Sequence, residues 1–555
     1  MKRRNFITTI GSGVAGGLVM SSAFPSSIFA GTKQKNIWVT PRKNYKCLYN
    51  IELLMNCNND ISSQKIKWVV EKLACTDVDA VMCCPTAWRT NMFPSEVDPE
   101  WKKFTHIRNL PKFEPFDYVM KYIHDGGDPV RDTLEASRAI NIDFFISYRL
   151  NDWHNIDDKT FPTHNAFWRE HPEYWLGDRN VMGLSDNIRL FNYMIPEVRD
   201  HYFSIIEELC TNYDTDGVEL DFQRVPRFFH DNQIKEGMSV MTGFVKRIRE
   251  MLNGIGKSRG KSMKLCIRIP DTVIACEKVG LDIVAWDAHG LIDMINLSPF
   301  FLHGMEIGIE EFKAKTKHAK IFGEMHMLYA FKSTITKGSV NELNAGRYMR
   351  YTTFEMYRAT AMNFLERGTD GLSMFNLDYV DGDCYNDKVS RLETPLKRGE
   401  MPEVLKGITD IRFLKTTSKD YIIYPNGILT NSIFPAKDEK SLKIYIADDT
   451  SKVKFERSVL RVETKENCVD LRIGVWLNGK PLASCENSDT EFFPPVHRNN
   501  GFPTREVLKF YAVPLDLLIH GDNLVEIRNL DKAKASCTLF SMELALYRPE
   551  HAILK

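Results

Sequence analysis

Short apolar runs alternate with amphipathic helical runs through most of this chain, and the cycle occurs eight times. Strand-like stretches lie at 47–55, 78–84, 142–148, 217–222, 263–269, 292–297, 320–325 and 371–375. Helical patterns lie between them, including 64–75, 130–139, 198–213, 238–252, 309–317 and 353–365. Strands separated by helices are too far apart in sequence for hairpins, so the alternation demands a largely parallel sheet with helical crossovers. Eight such strands close on themselves and leave no edge. The expected fold class is α/β, a (β/α)8 TIM barrel. An open doubly wound sheet would alternate similarly, but no GxGxxG loop follows the first strand.

The pattern changes beyond residue 408. Runs at 420–424, 442–447, 459–463, 471–477, 507–513, 524–527 and 537–547 read as strands with turn residues between them and little helix. The barrel domain is therefore expected over 38–408, with a C-terminal all-β sandwich, jelly-roll-like, over 409–555. Segments 475–482 and 518–526 resemble the jelly-roll modules that accompany polysaccharide-degrading enzymes. The alternative is a buttress for the barrel, since no cluster of exposed aromatics stands out in this region.

The chain begins with Lys2-Arg3-Arg4, an apolar Gly- and Ala-rich stretch, and small residues up to Ala30. This resembles a twin-arginine export signal over 1–30, which implies a bacterial protein exported folded, to the periplasm, with a mature chain starting near Gly31. No later segment reaches the roughly 18 uninterrupted apolar residues of a membrane span, so none is expected in the mature chain. With 73 basic and 73 acidic residues the net charge is zero, which gives no reason to expect a nucleic-acid partner. The 12 cysteines are scattered without zinc-ligand spacing and read mostly as free thiols; neither a metal nor a cofactor is expected.

In such barrels chemistry gathers where the strands end and the βα loops begin. Those ends are polar here: Asn56, Asn58, Asn59 and Asp60; Thr86, Trp88 and Arg89; Arg149, Asn151, Asp152 and His154; Asp221, Gln223 and Arg224; Arg268 and Asp271; Asn296 and Ser298; Glu324 and His326; Asn376 and Asp378. The two loops after the second and third strands are long, about 40 residues each, and rich in aromatics. Aromatic faces suit the apolar faces of sugar rings, and flanking polar groups can bond hydroxyls. Most of these rings are expected to pack the loops, with Trp88 and Trp153 as the ligand platforms because they sit nearest strand ends.

Within the fourth strand, Glu219, Asp221 and Gln223 share one face while Val218, Leu220 and Phe222 share the other. Glycoside hydrolysis needs two carboxyl groups across the scissile bond, and the fourth and seventh strands can supply them. Asp221 and Glu324 are the expected catalytic pair. Glu219, two residues deeper, is the third catalytic candidate, or else the partner of an arginine such as Arg268 or Arg149. Arg149, Asn151, Asp152 and His154 are expected to fix sugar hydroxyls or an acidic substituent, or to brace the loop. Gln223, Arg224, Arg268, Asn296, His326, Asn376 and Asp378 complete the expected substrate-binding set, His326 standing behind Glu324.

The segment Asp216-Gly217-Val218-Glu219-Leu220-Asp221-Phe222-Gln223-Arg224-Val225-Pro226 resembles the DGxxxDxxRxP strand of the bacterial glycosyl hydrolase-like 10 proteins, and the segments 147–154, 170–175 and 196–200 resemble other parts of that family. The likeness covers roughly residues 45 to 385 and implies a (β/α)8 fold and a glycosidase role, with no catalytic residues assigned for this branch. The same strand is also similar to the DGxDxDxE signature of family 18 chitinases. Here Glu219 replaces an Asp, and Gln223 stands where that signature has its acid Glu. Glutamine cannot donate a proton as an acid does. The reading is an exported glycoside hydrolase acting on a poly- or oligosaccharide. The alternatives are a catalytically silent carbohydrate-binding protein on a glycosidase-like barrel, which Gln223 favours, and a scaffold of the cell envelope with no carboxylate cleft.

Overall fold

The computed structural model describes residues 44–53, 61–106, 114–178, 188–299, 303–333, 347–380, 400–424, 432–434, 439–464, 471–486, 508–531 and 537–549. The chain divides into two units, Met1–Val39 and Thr40–Lys555, and all of these residues belong to the second. The twin-arginine start and the expected rim residues Asn56, Asn58, Asn59 and Asp60 lie outside the described residues.

Eight parallel strands close into a barrel: β1 (Cys47–Glu52), β2 (Ala80–Cys84), β3 (Asp143–Arg149), β4 (Gly217–Asp221), β5 (Lys264–Pro270), β6 (Met294–Ser298), β7 (Lys320–His326) and β8 (Gly371–Phe375). Each pairs with its neighbours in chain order, and β8 returns to β1 with Leu372 opposite Cys47. Successive side chains alternate between the helix-facing and interior sides. Tyr49, Val81, Ile146, Val218, Leu220, Ile267 and Ile295 face the helices and join one large apolar layer. Each such side chain contributes about 1.5–3 kcal/mol by leaving water. Inside, Leu48, Ala80, Met82, Phe145, Cys266, Met294 and Phe322 form a separate apolar plug.

One step further along the same interior faces the residues turn polar: Asn50, Ser147, Glu219, Arg268, Asn296, Glu324 and Ser373, all buried. The plug forms the floor, and these residues begin the mouth. Below the floor, at the start of β4, Asp216 accepts from Arg138 Nη1 at 2.5 Å, from Phe144 N at 2.9 Å and from Lys261 Nζ at 3.2 Å. A side chain on Gly217 would meet the carbonyl oxygen of Lys264 at 2.3 Å, so only glycine lets β4 and β5 approach here. The first two residues of the DGxxxDxxRxP segment thus serve architecture, and its later residues reach the mouth.

Helices α1 (Ser63–Glu71), α2 (Pro129–Ala139), α3 (Pro196–Asn212), α4 (Ile234–Arg259), α5 (Ile309–Lys315) and α6 (Phe354–Arg367) lie between the strands. Their starts follow local chemistry: Ser62, Asp128 and Thr353 each accept a backbone N–H of the first turn, and Pro129 and Pro196 occupy positions where no donor is needed. Two elements depart from the expected pattern. The long loop after β2 contains a helix, Glu114–His124, and a hairpin of Leu328–Ser333 with Arg347–Tyr351 is inserted between β7 and α6. Among the described residues no helix is long and apolar enough to cross a membrane.

The longer strands of the C-terminal region are β9 (Lys419–Tyr424), β10 (Glu439–Ile446), β11 (Arg457–Thr464), β12 (Ile473–Leu477), β13 (Leu508–Val513), β14 (Gly521–Asn529) and β15 (Cys537–Tyr547). They form two antiparallel sheets, ordered β9-β15-β11-β13 and β10-β14-β12, each with a short edge strand beyond. Tyr421, Leu460, Val462, Val475, Val525 and Leu544 pack between them. Met356 and Ala359 of α6 belong to the same apolar cluster, so the barrel's last long helix is also part of the sandwich core. Asn363 ties the seam by donating to Tyr445 O at 2.7 Å and accepting from Ala447 N at 3.0 Å.

Candidate functional site

Arg268, on β5, is the hub of the mouth. Parallel pairing sets it opposite Asp221 of β4 and Asn296 of β6. Its guanidinium donates to Glu324 through Nε at 2.5 Å and Nη2 at 2.7 Å, to Asp221 Oδ1 through Nη1 at 3.0 Å, and to Ser298 Oγ at 3.0 Å. The face of Phe375 lies 3.8 Å from the same group. Burial alone would lower the Arg268 pKa, but the charges of Asp221 and Glu324 raise it, so the guanidinium stays charged.

The two expected catalytic carboxylates therefore converge on one guanidinium, but they are not equivalent. Glu324 is wholly buried, and both of its oxygens are filled: Oε1 by Arg268 and Ser298, Oε2 by Arg268 and, at 3.4 Å, by Asn296. Such a carboxylate holds Arg268 in place and has no lone pair left for a substrate, which corrects its expected part in acid or nucleophilic chemistry. Asp221 Oδ1 accepts from Arg268 and from Gln223 N at 2.9 Å. Its Oδ2 has no hydrogen bond and only the Nε of Arg149 at 3.9 Å. Of the three carboxylates on β4 and β7, Asp221 alone keeps an oxygen for a ligand.

Glu219 corrects another expectation. It is no arginine's ion-pair partner; its Oε1 accepts from Ser147 Oγ at 2.7 Å, and its Oε2 receives Cys266 Sγ at 3.4 Å and Asn296 Nδ2 at 3.3 Å. Burial, and then the nearby charge of Asp221, push its pKa up to about 7. One face of β4 thus carries an ion-paired carboxylate above a carboxyl group that changes protonation near neutrality. Ser147, Cys266 and Ser373 are not among the expected site residues, although each is the interior residue of its strand level with, or next to, the acidic ones; Ser298, expected at the rim, donates to Glu324.

Arg149 forms a second cluster. It binds Glu52 of β1 and lies 3.7 Å from Asp152. Asp152 Oδ1 accepts from His154 Nδ1 at 2.5 Å, and Arg224 Nη2 donates to His154 Nε2 at 2.9 Å, which fixes the imidazole as the neutral Nδ1–H tautomer. Burial and the charge of Arg224 lower the His154 pKa accordingly. Arg89 closes the back of this cluster, donating to the carbonyls of Asp152 and His154. Asn151 spans Phe191 and Arg227 with three bonds to their backbones, so it braces a loop and does not face a sugar.

The other expected residues separate by exposure. Trp88 sits at φ 54°, a left-handed conformation costly for a bulky side chain, and packs against His154 at 5.6 Å and Phe161 at 5.8 Å. Trp153 is partly buried against the barrel's apolar layer, a packing position and no platform. His326 accepts from Leu328 N at 3.2 Å and stacks on Phe375, so it orders the end of β7 and does not bond Glu324. Asn296 bridges Glu219, Glu324 and Ser373. Gln223 donates to Ser298 O at 3.0 Å, and Asn376 follows β8 at φ 55°. Among the described residues the side-chain oxygens of Gln223, Asn296 and Asn376 are buried without a donor. Asp378 is fully buried. Among the described residues no three His, Cys, Asp or Glu side chains gather as metal ligands.

No family model and no curated protein matches this chain. Among solved structures it is similar to the chitinase ChiW of Paenibacillus sp. str. FPU-7, with 10% identity and a TM-score of 0.39 over 87% of this chain. The chain spans about half, 52%, of that multi-modular enzyme. It is also similar to a plant class V chitinase mutant of Cycas revoluta in complex with (GlcNAc)3, with 11% identity, a TM-score of 0.38, and 66% and 99% of the two chains covered. A third similar structure is α-L-fucosidase isoenzyme 1 of Paenibacillus thiaminolyticus, with 12% identity, a TM-score of 0.35, and 88% and 97% covered. All three scores are low, and the barrel rests on the strand register described above.

Proposed function

We propose that this chain is a glycoside hydrolase acting on a poly- or oligosaccharide, with Asp221 as the carboxylate that meets the sugar. The observation that carries this reading is the asymmetry of Asp221: one oxygen is held by Arg268 and the Gln223 amide, and the other is left to a ligand at the C-terminal end of β4. A carboxylate fixed this way is suited to stabilise or attack an oxocarbenium-like centre, because its orientation is set before the sugar arrives. Glu219, one layer below, holds or releases its proton near pH 7 and adjusts the charge of the cluster. The test is incubation of the purified chain with neutral, carboxylated and sulfated glycans, followed by the same assay on Asp221→Asn.

A second reading, a carbohydrate binder without turnover, is favoured by Gln223, which lacks the proton of a glutamic acid at that position. Binding without product across the whole panel would select it. On the DGxxxDxxRxP segment we place the chain with the bacterial glycosyl hydrolase-like 10 proteins. From the twin arginines we infer export to the periplasm as a folded chain, with residues 38–408 as the barrel domain and 409–555 as an accessory domain.

A further inference from the structure

A cavity of about 290 Å³ lies between the long loops that follow β2 and β3, away from Arg268. Its volume is just under the roughly 300–1,000 Å³ common for small-molecule sites, enough for one sugar ring. Phe104, Phe161 and Pro162 supply apolar surface, and Glu100, Lys103 and Arg169 supply charge. The loops are held rigidly around it. Glu100 is 7% exposed, and its Oε1 accepts from Ala166 N at 2.8 Å and from Lys103 Nζ at 2.9 Å, with Arg169 Nη2 at 3.5 Å. Arg169 also donates to His164 O, and Trp168 donates to Arg189 O at 3.0 Å behind it.

Two features connect this cavity to the mouth. Phe161 lines the cavity and touches Trp88, and Trp88 touches His154, so a continuous aromatic path leads from one to the other. Trp88 is held on that path in a strained backbone conformation, the kind that persists where surroundings over-determine it. Lys103 and Arg169 face the carboxylate of Glu100 and, further back, that of Asp98, and the Lys103 side chain is 60% exposed, with donors still available to a ligand.

We propose that this cavity is a distal subsite for a sugar unit carrying an anionic substituent, a carboxylate or a sulfate ester, on the same chain whose reacting end lies at Asp221. The ring's apolar face rests on Phe161 and Phe104, and its anion is met by Lys103 and Arg169. This deepens the glycoside hydrolase reading, but the site binds whether or not the mouth turns over.

Calorimetric titration of the full chain with three hexasaccharides, a polyuronate, a sulfated galactan and a neutral glucan, separates the elements of the proposal. At least one anionic hexasaccharide should bind more tightly than the neutral one, and the better of the two identifies the substituent. Lys103→Met should weaken that complex about tenfold and leave the neutral one unchanged. Phe161→Ala should weaken both, with thermal melting as the check on folding. Equal affinities for charged and neutral chains, no binding of any of the three, or an undiminished anionic complex in Lys103→Met would each overturn the subsite. Loss of turnover in Asp221→Asn with the binding pattern intact bears only on the mouth, so the two readings fail separately.

Discussion

Arg268 grips Glu324 through two parallel hydrogen bonds, 2.5 and 2.7 Å long, across the interior of the barrel. With Asp221 on the third nitrogen, one buried guanidinium faces two buried carboxylates. Replacing Glu324 by an amide takes away the two-bond charged partner of Arg268 and turns an N–H against the donors of Arg268 or Ser298. Glu324→Gln should therefore cost about 3–5 kcal/mol of folding stability, as breaking buried pairs generally does. Urea unfolding checks this, and a loss under about 1 kcal/mol would show that the cluster is better hydrated than its burial implies.

Arg268→Met should be more damaging at neutral pH than at mild acid, because it strands two carboxylates that protonation can neutralise. Melting temperatures of this variant should rise relative to wild type as the pH is lowered toward 4. A constant deficit across that range would separate Arg268 from the charge of Asp221 and Glu324.

Glu219 gives a pH dependence of its own. Its pKa is raised from 4.5 to about 7, so between those values the folded chain keeps a proton that the unfolded chain has released. The stability it contributes is complete below pH 4.5 and is lost as the pH rises through about 7. At ~1.36 kcal/mol per pH unit the loss is about 3 kcal/mol. Glu219→Gln, which cannot ionise, should flatten that slope in denaturant unfolding measured from pH 4 to 8, and an unchanged slope would assign the dependence to another group.

Trp88→Gly separates strain from use. Glycine tolerates φ 54°, and relief of about 1 kcal/mol should offset much of the packing lost against His154 and Phe161. Stability should change by less than about 1 kcal/mol while glycan affinity falls about tenfold, by loss of the aromatic face. Reduced stability with unaltered affinity would make Trp88 a packing residue.

The eight strands were legible because their helix-facing residues, such as Val218, Leu220, Ile267 and Ile295, are apolar at a period of two and end in polar rims. The sandwich strands showed the same period, with turn residues between. Single-strand periodicity placed Glu219, Asp221 and Glu324 in the interior, but it says nothing about register between strands. The pairing of β4 with β5 sets Asp221 beside Arg268, and Glu324 reaches the same guanidinium from β7 across the interior, neither of which a single strand's pattern reveals. Ser147, Cys266 and Ser373 were overlooked because small polar residues on a strand carry no chemical signal until a carboxyl group is seen beside them. Asn151 and Trp153 looked like ligand groups because they follow a strand end; their side chains turn instead into the loop and the apolar layer. The hairpin before α6 lies in a stretch without strict alternation, so period offered no guide.

The central claim is that the unbonded Oδ2 of Asp221 meets the sugar. Its most direct test is kcat/KM of Asp221→Asn on a glycan that the wild-type chain cleaves, with folding verified by unfolding in urea. Asparagine can still accept from Arg268 and the Gln223 amide, so the fold should persist while kcat/KM falls at least about a hundredfold. Turnover at the wild-type rate by a folded Asp221→Asn chain would contradict the account.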